Sequence, residues 1–203
     1  MFSFVCYHYN MTKYIGVVGQ IASGKGVLVN WLTGHLGFKS FSLSSIVHDE
    51  FKKRNVGVGF SDPLTRKTLQ DMGDELRRVF GDDILAKRIM ERCRDRVSRL
   101  IIIEGIRNPA EIKFLKKNKN FILIGVKASR EIRFKRLLSR GKEWDPKTYS
   151  DFLKVDRRDI GVGQNKSGQQ VGECLKYCDY VLMNNNSVEE FEEKIQKLMI
   201  NIK

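Results

Sequence analysis

The sequence predicts an α/β protein whose parallel sheet is covered by helices on both faces, and three observations carry that expectation. Short β-branched apolar runs alternate with amphipathic segments along the chain. The first run ends in a glycine-rich loop that opens directly into a helical pattern. No internal repeat or low-complexity tract breaks the alternation, so the 203 residues read as one domain.

Residues 13–19 (KYIGVVG) form a buried strand, and 25–36 a helix that places Val27, Leu28, Trp31 and Leu32 on one side and stops at Gly37. A second strand is expected over 38–43 and a helix over 44–54, followed by a glycine-rich, mobile stretch at 55–60. Ser61-Asp62-Pro63 reads as a helix start, because Pro63 in the first turn lacks only an N–H that has no partner there. Leu69, Met72, Leu76 and Val79 then recur three and four apart, which makes 63–80 amphipathic, and 82–96 repeats the pattern. Strands at 99–104, 121–126 and 180–183 alternate with helices at 109–117, 130–140 and 188–202. The polar segment 141–170 reads as a mobile insertion with short helical stretches.

The formal net charge of +13 suits a polyanionic partner, either nucleic acid or phosphate-rich small molecules, but no basic run is long enough for a nucleic-acid tail. Cys174 and Cys178, four apart on one helix face with no histidine beside them, read as reduced core thiols and not as a zinc site. Such thiols suggest a reducing, cytoplasmic setting. Residues 1–10 are aromatic without the pattern of a signal peptide and read as an extension; no run is long enough to span a membrane.

The loop after the first strand is Gly19-Gln20-Ile21-Ala22-Ser23-Gly24-Lys25-Gly26, followed by Val27. Two glycines with four residues between them and a lysine after the second, set between strand and helix, are what a phosphate cradle requires. Backbone N–H groups turn inward around phosphate oxygens, the helix adds its positive end, and Lys25 reaches the β- and γ-phosphates. This P-loop predicts ATP binding. A hydroxyl normally follows the lysine and holds Mg²⁺, whereas Gly26 and Val27 stand there. The metal must then rely on water, the nucleotide, Ser23 or a later carboxylate.

Glu104, at the tip of the run Leu100-Ile-Ile-Ile-Glu104, is that carboxylate, orienting Mg²⁺ through water; its plain alternative is a capping acid. Arg107, three residues on, is placed to grip a phosphate bidentately. Arg133, Arg136 and Arg140 share one helix face before the 141–170 segment, where cations on a moving element would neutralise transferring charge. Of these, Arg136 and Arg140 are the catalytic candidates beside Lys25 and Arg107. Arg157 and Arg158 are second candidates, while the general base is unassigned, with Asp71 and Asp74 on the 63–80 helix as substitutes for it and nothing more.

Together the loop 19–26, the strand end Glu104-Gly-Ile-Arg107, the Arg136–Arg140 pair and the ending Cys178-Asp-Tyr-Val-Leu-Met-Asn-Asn-Asn186 resemble the nucleoside monophosphate kinase-like P-loop proteins. Dephospho-coenzyme A kinases, phage-type deoxynucleoside monophosphate kinases and archaeal nucleotide kinases are the similar groups. The resemblance implies a P-loop NTPase fold of five parallel strands, a core of 13–43, 98–140 and 178–203, a helical acceptor-binding insert at 44–97, and an arginine-bearing lid at 141–170. It implies an ATP–Mg²⁺ donor and transfer of the γ-phosphoryl group to a (deoxy)nucleoside monophosphate or dephospho-coenzyme A. A kinase acting on a DNA or RNA hydroxyl, and a nucleotide-binding module without turnover, are the alternatives.

Overall fold

Short apolar runs buried on both faces form the centre of the sheet in the computed structural model, which describes residues 12–55, 64–94 and 98–202. The strands are β1 (Lys13–Gly19), β2 (Lys39–Ser42), β3 (Leu100–Ile106), β4 (Phe121–Lys127) and β5 (Tyr180–Met183). Every neighbouring pair is parallel, in the order β2-β3-β1-β4-β5. Strand order therefore reverses at β1, and the crevice beyond its C-terminal end is where α/β sheets take ligands.

The helices are α1 (Lys25–Leu36), α2 (Leu43–Asn55), α3 (Arg66–Phe80), α4 (Ile84–Arg94), α5 (Pro109–Leu115), α6 (Arg130–Arg140), α7 (Tyr149–Ile160), α8 (Val171–Cys174) and α9 (Val188–Asn201). Ile15, Val17, Ile102, Ile124 and Val126 point to the face covered by α1 and α9, where Leu28, Leu32, Phe191 and Ile195 meet them. Val18, Ile101, Ile103 and Leu123 point to the other face, against Leu43, Leu76, Leu85 and Ile89 of α2, α3 and α4. Each fully buried side chain of this kind contributes roughly 1.5–3 kcal/mol, so the two layers fix the sheet. A third, small cluster of Ile21, Leu137 and Phe152 seats α7 beneath the glycine loop.

Local chemistry shifts several boundaries from those read in the sequence. Strand β2 stops at Ser42, and Leu43, fully buried, already belongs to α2. Helix α3 begins at Arg66 and not near Pro63: the Thr65 hydroxyl accepts from the Thr68 N–H at 3.1 Å, and Thr68 Oγ1 accepts from the Thr65 N–H at 2.9 Å. This reciprocal cap out-competes the proline signal. Residues 61–63, 56–60 of the glycine-rich stretch, 95–96 of the expected second helix, and 1–10 lie outside the described residues. Within 141–170 a full twelve-residue helix, α7, takes the place of short helical stretches. Cys174 ends α8 and Cys178 follows a 3-10 turn, Leu175–Tyr177, so the two do not share one helix. Cys93, Cys174 and Cys178 are free thiols, and burial pushes Cys93 up to about 11 and Cys178 up to about 12. No helix among the described residues is long and apolar enough to cross a membrane.

Candidate phosphate-binding site

The site begins where β1 ends. After Gly19 the chain turns so that the Ser23 N–H reaches Gln20 O at 3.2 Å, and Gly24, at φ 103°, delivers it into α1. Only glycine takes that left-handed conformation without strain. Helix α1 has no side-chain cap and no acidic residue in its first turn, so its leading N–H groups remain available to an anion. Lys25 Nζ folds back on Gly19 O and Gln20 O, at 2.7 and 2.8 Å. Burial, and next the positive charge of Arg107, depress its amine to about 7.

Between β1 and β3 the register skips one residue: Val17 pairs with Glu104, and Val18 with Ile106. Gly105, at φ 78°, absorbs this bulge one pair before the ladder ends, and Glu104 beside it lines the same cavity as the loop. Glu104 also stands level with Ser42 on β2, and both line one cavity of about 500 Å³. Residues 21–27 form one wall, α2 and α3 another, and Trp144 and Gln169 from the 141–170 segment close over it. Among the described residues its lining carries seven lysines and arginines and a single carboxylate, Glu104.

The structure brings Lys25, Glu104, Arg107, Arg136 and Arg140 to this cavity and treats each arginine differently. Arg136 donates to Asn184 O at 2.9 Å and Asn184 Oδ1 at 3.1 Å, tying α6 to the loop after β5. Arg140 makes a two-point contact with Asp145, at 2.6 and 2.9 Å. Arg107 Nη1 pairs with Asp159 of α7, whose second carboxylate oxygen is buried without a partner. Arg133, on the same helix face, is instead enclosed at 1% exposure; it grips Asp156 through Nη1 and Nη2 and donates to Ile21 O at 3.3 Å.

Two readings need correction. Asp71 and Asp74 do not line the cavity: Arg158 holds Asp71 at 2.6 Å and Asp74 at 2.7 Å, and Arg77 also reaches Asp74. They are latch residues between α3 and α7, which removes them as stand-ins for a base and places Arg158 outside the site. Arg157 is exposed on α7. Conversely, Arg66, Asp145, Asp159 and Asn184 belong to the site or its frame and were not singled out from sequence. Asn184 carried the only advance signal, as part of the Asn-Asn-Asn ending.

A parallel sheet in this order, with a lysine-bearing glycine loop between its central strand and first helix and a cationic cavity beyond, has the fold seen in P-loop kinases. No protein-family model matches the chain. The chain belongs to the UPF0200 proteins: it is 30% identical over 191 residues to UPF0200 protein PH1008 of Pyrococcus horikoshii, covering 92% of this chain and 95% of that one. With UPF0200 protein TK1334 of Thermococcus kodakarensis it shares 31% over 188 residues, 90% and 94% of the two chains.

Among solved structures, TT1252 from Thermus thermophilus superposes with a TM-score of 0.60 at 18% identity, over 96% of this chain and all of that one. Shikimate kinase from Acinetobacter baumannii in complex with shikimate gives 0.54 at 13% identity over 96% of each chain. Dephospho-CoA kinase from Campylobacter jejuni gives 0.50 at 18% over 94% and 97%. At these identities the likeness is one of fold.

Proposed function

We propose that this protein is an ATP-dependent phosphotransferase that moves the γ-phosphoryl group to a nucleotide-like acceptor, of the (deoxy)nucleoside monophosphate or dephospho-coenzyme A type. The observation that carries this reading is that Lys25, Arg107, Arg140 and Glu104 all line one cavity. Phosphoryl transfer asks little of a protein beyond alignment and charge neutralisation, and this lining supplies both.

In this account the triphosphate lies in the 19–27 loop, with Gly19, Gln20, Ile21, Ala22, Ser23, Gly24, Gly26 and Val27 forming the cradle. Lys25 exchanges its two carbonyl partners for β- and γ-phosphate oxygens. Arg107 and Arg140 face the transferring group, and Arg136 holds the α6 end in place through Asn184. The 141–170 segment acts as a lid, with Trp144 excluding water from above.

The donor set fits Mg²⁺ in one manner only. Among the described residues no three histidine, cysteine or acidic side chains group into a cage. A single carboxylate, Glu104, beside the Ser42 hydroxyl suits an ion held chiefly by phosphates and water. Bound there, the ion would supply electrostatic screening of the phosphate oxygens. Ser42 and Ser44, whose hydroxyls lie 2.8 Å apart at the cavity, offer the oxygen that Gly26 and Val27 lack.

The test is an assay of ATP–Mg²⁺ turnover against nucleoside and deoxynucleoside monophosphates, dephospho-coenzyme A and DNA. One small acceptor is expected to support turnover well above the ATP-only rate. Turnover with DNA alone would replace this reading by a kinase acting on nucleic acid.

A further inference from the structure

A glutamate is almost never fully buried unless it is paired, and Glu111, in the first turn of α5, is 0% exposed. Its Oε2 accepts from the Asn108 N–H at 3.0 Å, which completes the reciprocal cap of α5. The same oxygen accepts from the Arg107 N–H at 2.8 Å. Its Oε1 accepts from Arg77 Nε at 2.9 Å, thirty-four residues away on α3.

The cap needs only one of those oxygens. Burying the other against Arg77, itself fully enclosed, takes two charges out of water, and apolar side chains of similar volume hold two helices together as well or better. What the pair adds is a fixed relation between α3 and residue 107. On one side Leu69, Gln70, Gly73 and Arg77 of α3 line the cavity. On the other, the Arg107 side chain lines the same cavity while both its backbone groups are held, the N–H by Glu111 and the C=O by the Gln170 N–H at 2.7 Å. Asn108 Nδ2 donates to Lys166 O and Gly168 O at 2.7 and 3.0 Å. The end of the 141–170 segment therefore grips residues 107 and 108 directly, and Glu111 joins the same two residues to α3.

We propose that Glu111 is a positioning residue for phosphoryl transfer: through Arg77 it keeps the α3 wall of the cavity in register with Arg107. An acceptor seated against α3 and the guanidinium that faces the γ-phosphoryl group then stand in one geometry. Glu111 touches neither reactant. The inference rests on the phosphotransferase reading and adds the part that aligns its two substrates. Without the link the phosphate loop is intact but the acceptor is misaligned, and water competes with it. The bond from the γ-phosphorus to the ADP oxygen breaks in either case. In the misaligned site the new bond forms to a water oxygen, releasing inorganic phosphate and a proton, in place of the acceptor oxygen.

The test uses γ-labelled ATP, Mg²⁺ and an equimolar mixture of nucleoside and deoxynucleoside monophosphates and dephospho-coenzyme A. Arg77→Met with Glu111→Gln leaves no buried charge in the pair, and the glutamine carbonyl still accepts from the Arg107 and Asn108 N–H groups. This double variant is expected to unfold in urea near the wild-type midpoint and to keep the KM for ATP within twofold. Its kcat for transfer falls tenfold or more, and the ratio of labelled inorganic phosphate to labelled acceptor rises severalfold. Glu111→Gln alone, which turns an amide N–H toward Arg77 in place of an oxygen, shifts that ratio the same way, so the test does not depend on one variant folding. Arg77→Lys, which still donates to Glu111, restores part of both quantities. Folded variants that transfer at the wild-type rate, or that lose rate with the ratio unchanged, overturn the positioning role. Wild type that labels no acceptor overturns the phosphotransferase reading, and this inference with it.

Discussion

Asn184 stands directly behind Gly24. Its Nδ2 donates to Ser23 O at 3.0 Å, and a Cβ built on Gly24 would fall on that same amide nitrogen. The loop after β5 therefore braces the phosphate loop from outside, and Arg136 braces Asn184 in turn.

This brace gives a coupled prediction. Gly24→Ala costs about 1–2 kcal/mol from its left-handed backbone alone, and more from the amide it strikes. ATP affinity, measured by calorimetry, should fall about tenfold or more, on the order of 1.4 kcal/mol. Asn184→Ala relieves the clash while leaving Ser23 O without its side-chain donor and Arg136 with only the Asn184 and Asn186 backbone carbonyls. Its stability loss, read by urea unfolding, should be about 1–3 kcal/mol. In a double-mutant cycle the two changes should be sub-additive by about 0.5 kcal/mol or more. Simple additivity would mean that the brace does not exist.

The Arg133–Asp156 pair is fully enclosed and joins α6, α7 and Ile21 of the phosphate loop. Arg133→Met leaves the buried Asp156 carboxylate with only Arg130, at 3.4 Å, as a cationic partner and should cost about 3 kcal/mol in urea unfolding. The double variant Arg133→Met/Asp156→Leu should recover most of that loss, because no uncompensated charge remains. A double variant as unstable as the sum of its parts would show that the ion pair is not the unit that matters.

Lys25 makes the protein's behaviour depend on pH in a definite direction. Its folded amine titrates near 7 against an ordinary 10.5, so the unfolded chain binds the extra proton between those values. This group therefore adds stability as pH rises from about 7 toward 10.5, and Lys25→Met should flatten that part of the profile. A bound triphosphate favours the charged amine. At pH 8 ATP binding should take up close to one proton, seen as a dependence of calorimetric enthalpy on the buffer's ionisation heat, and absent in Lys25→Met. Binding without proton uptake would place Lys25 away from the phosphates.

Strands β1, β3 and β4 were legible in the sequence because a strand buried on both faces must be a continuous apolar run, as at Ile101–Ile103. The phosphate loop was legible for a related reason, since a left-handed turn at Gly24 and a lysine after it leave few residue choices. The arginines were not. Arg133, Arg136 and Arg140 share one helical face, but what separates a core ion pair from a cavity cation is a partner more than twenty residues away for Arg133 and nearly fifty for Arg136. Periodicity carries no information about such partners. The roles of Asp71, Asp74 and Arg158 were hidden in the same way, because a latch between α3 and α7 exists only once both helices are in place. Arg66 opens a helix whose start the proline signal sets three residues early, so the pattern assigns it no place at the cavity.

The central claim is that the loop, Glu104 and the cavity arginines form one phosphotransfer site, and the most direct measurement follows the γ-phosphoryl group itself. With γ-labelled ATP, Mg²⁺ and a mixture of nucleotide acceptors, wild type should place label on an acceptor. Lys25→Ala and Glu104→Gln should each reduce that transfer at least a hundredfold, about 2.7 kcal/mol of barrier. Label that remains on ATP in wild type, with ATP demonstrably bound, would contradict the account and leave a nucleotide-binding module without turnover.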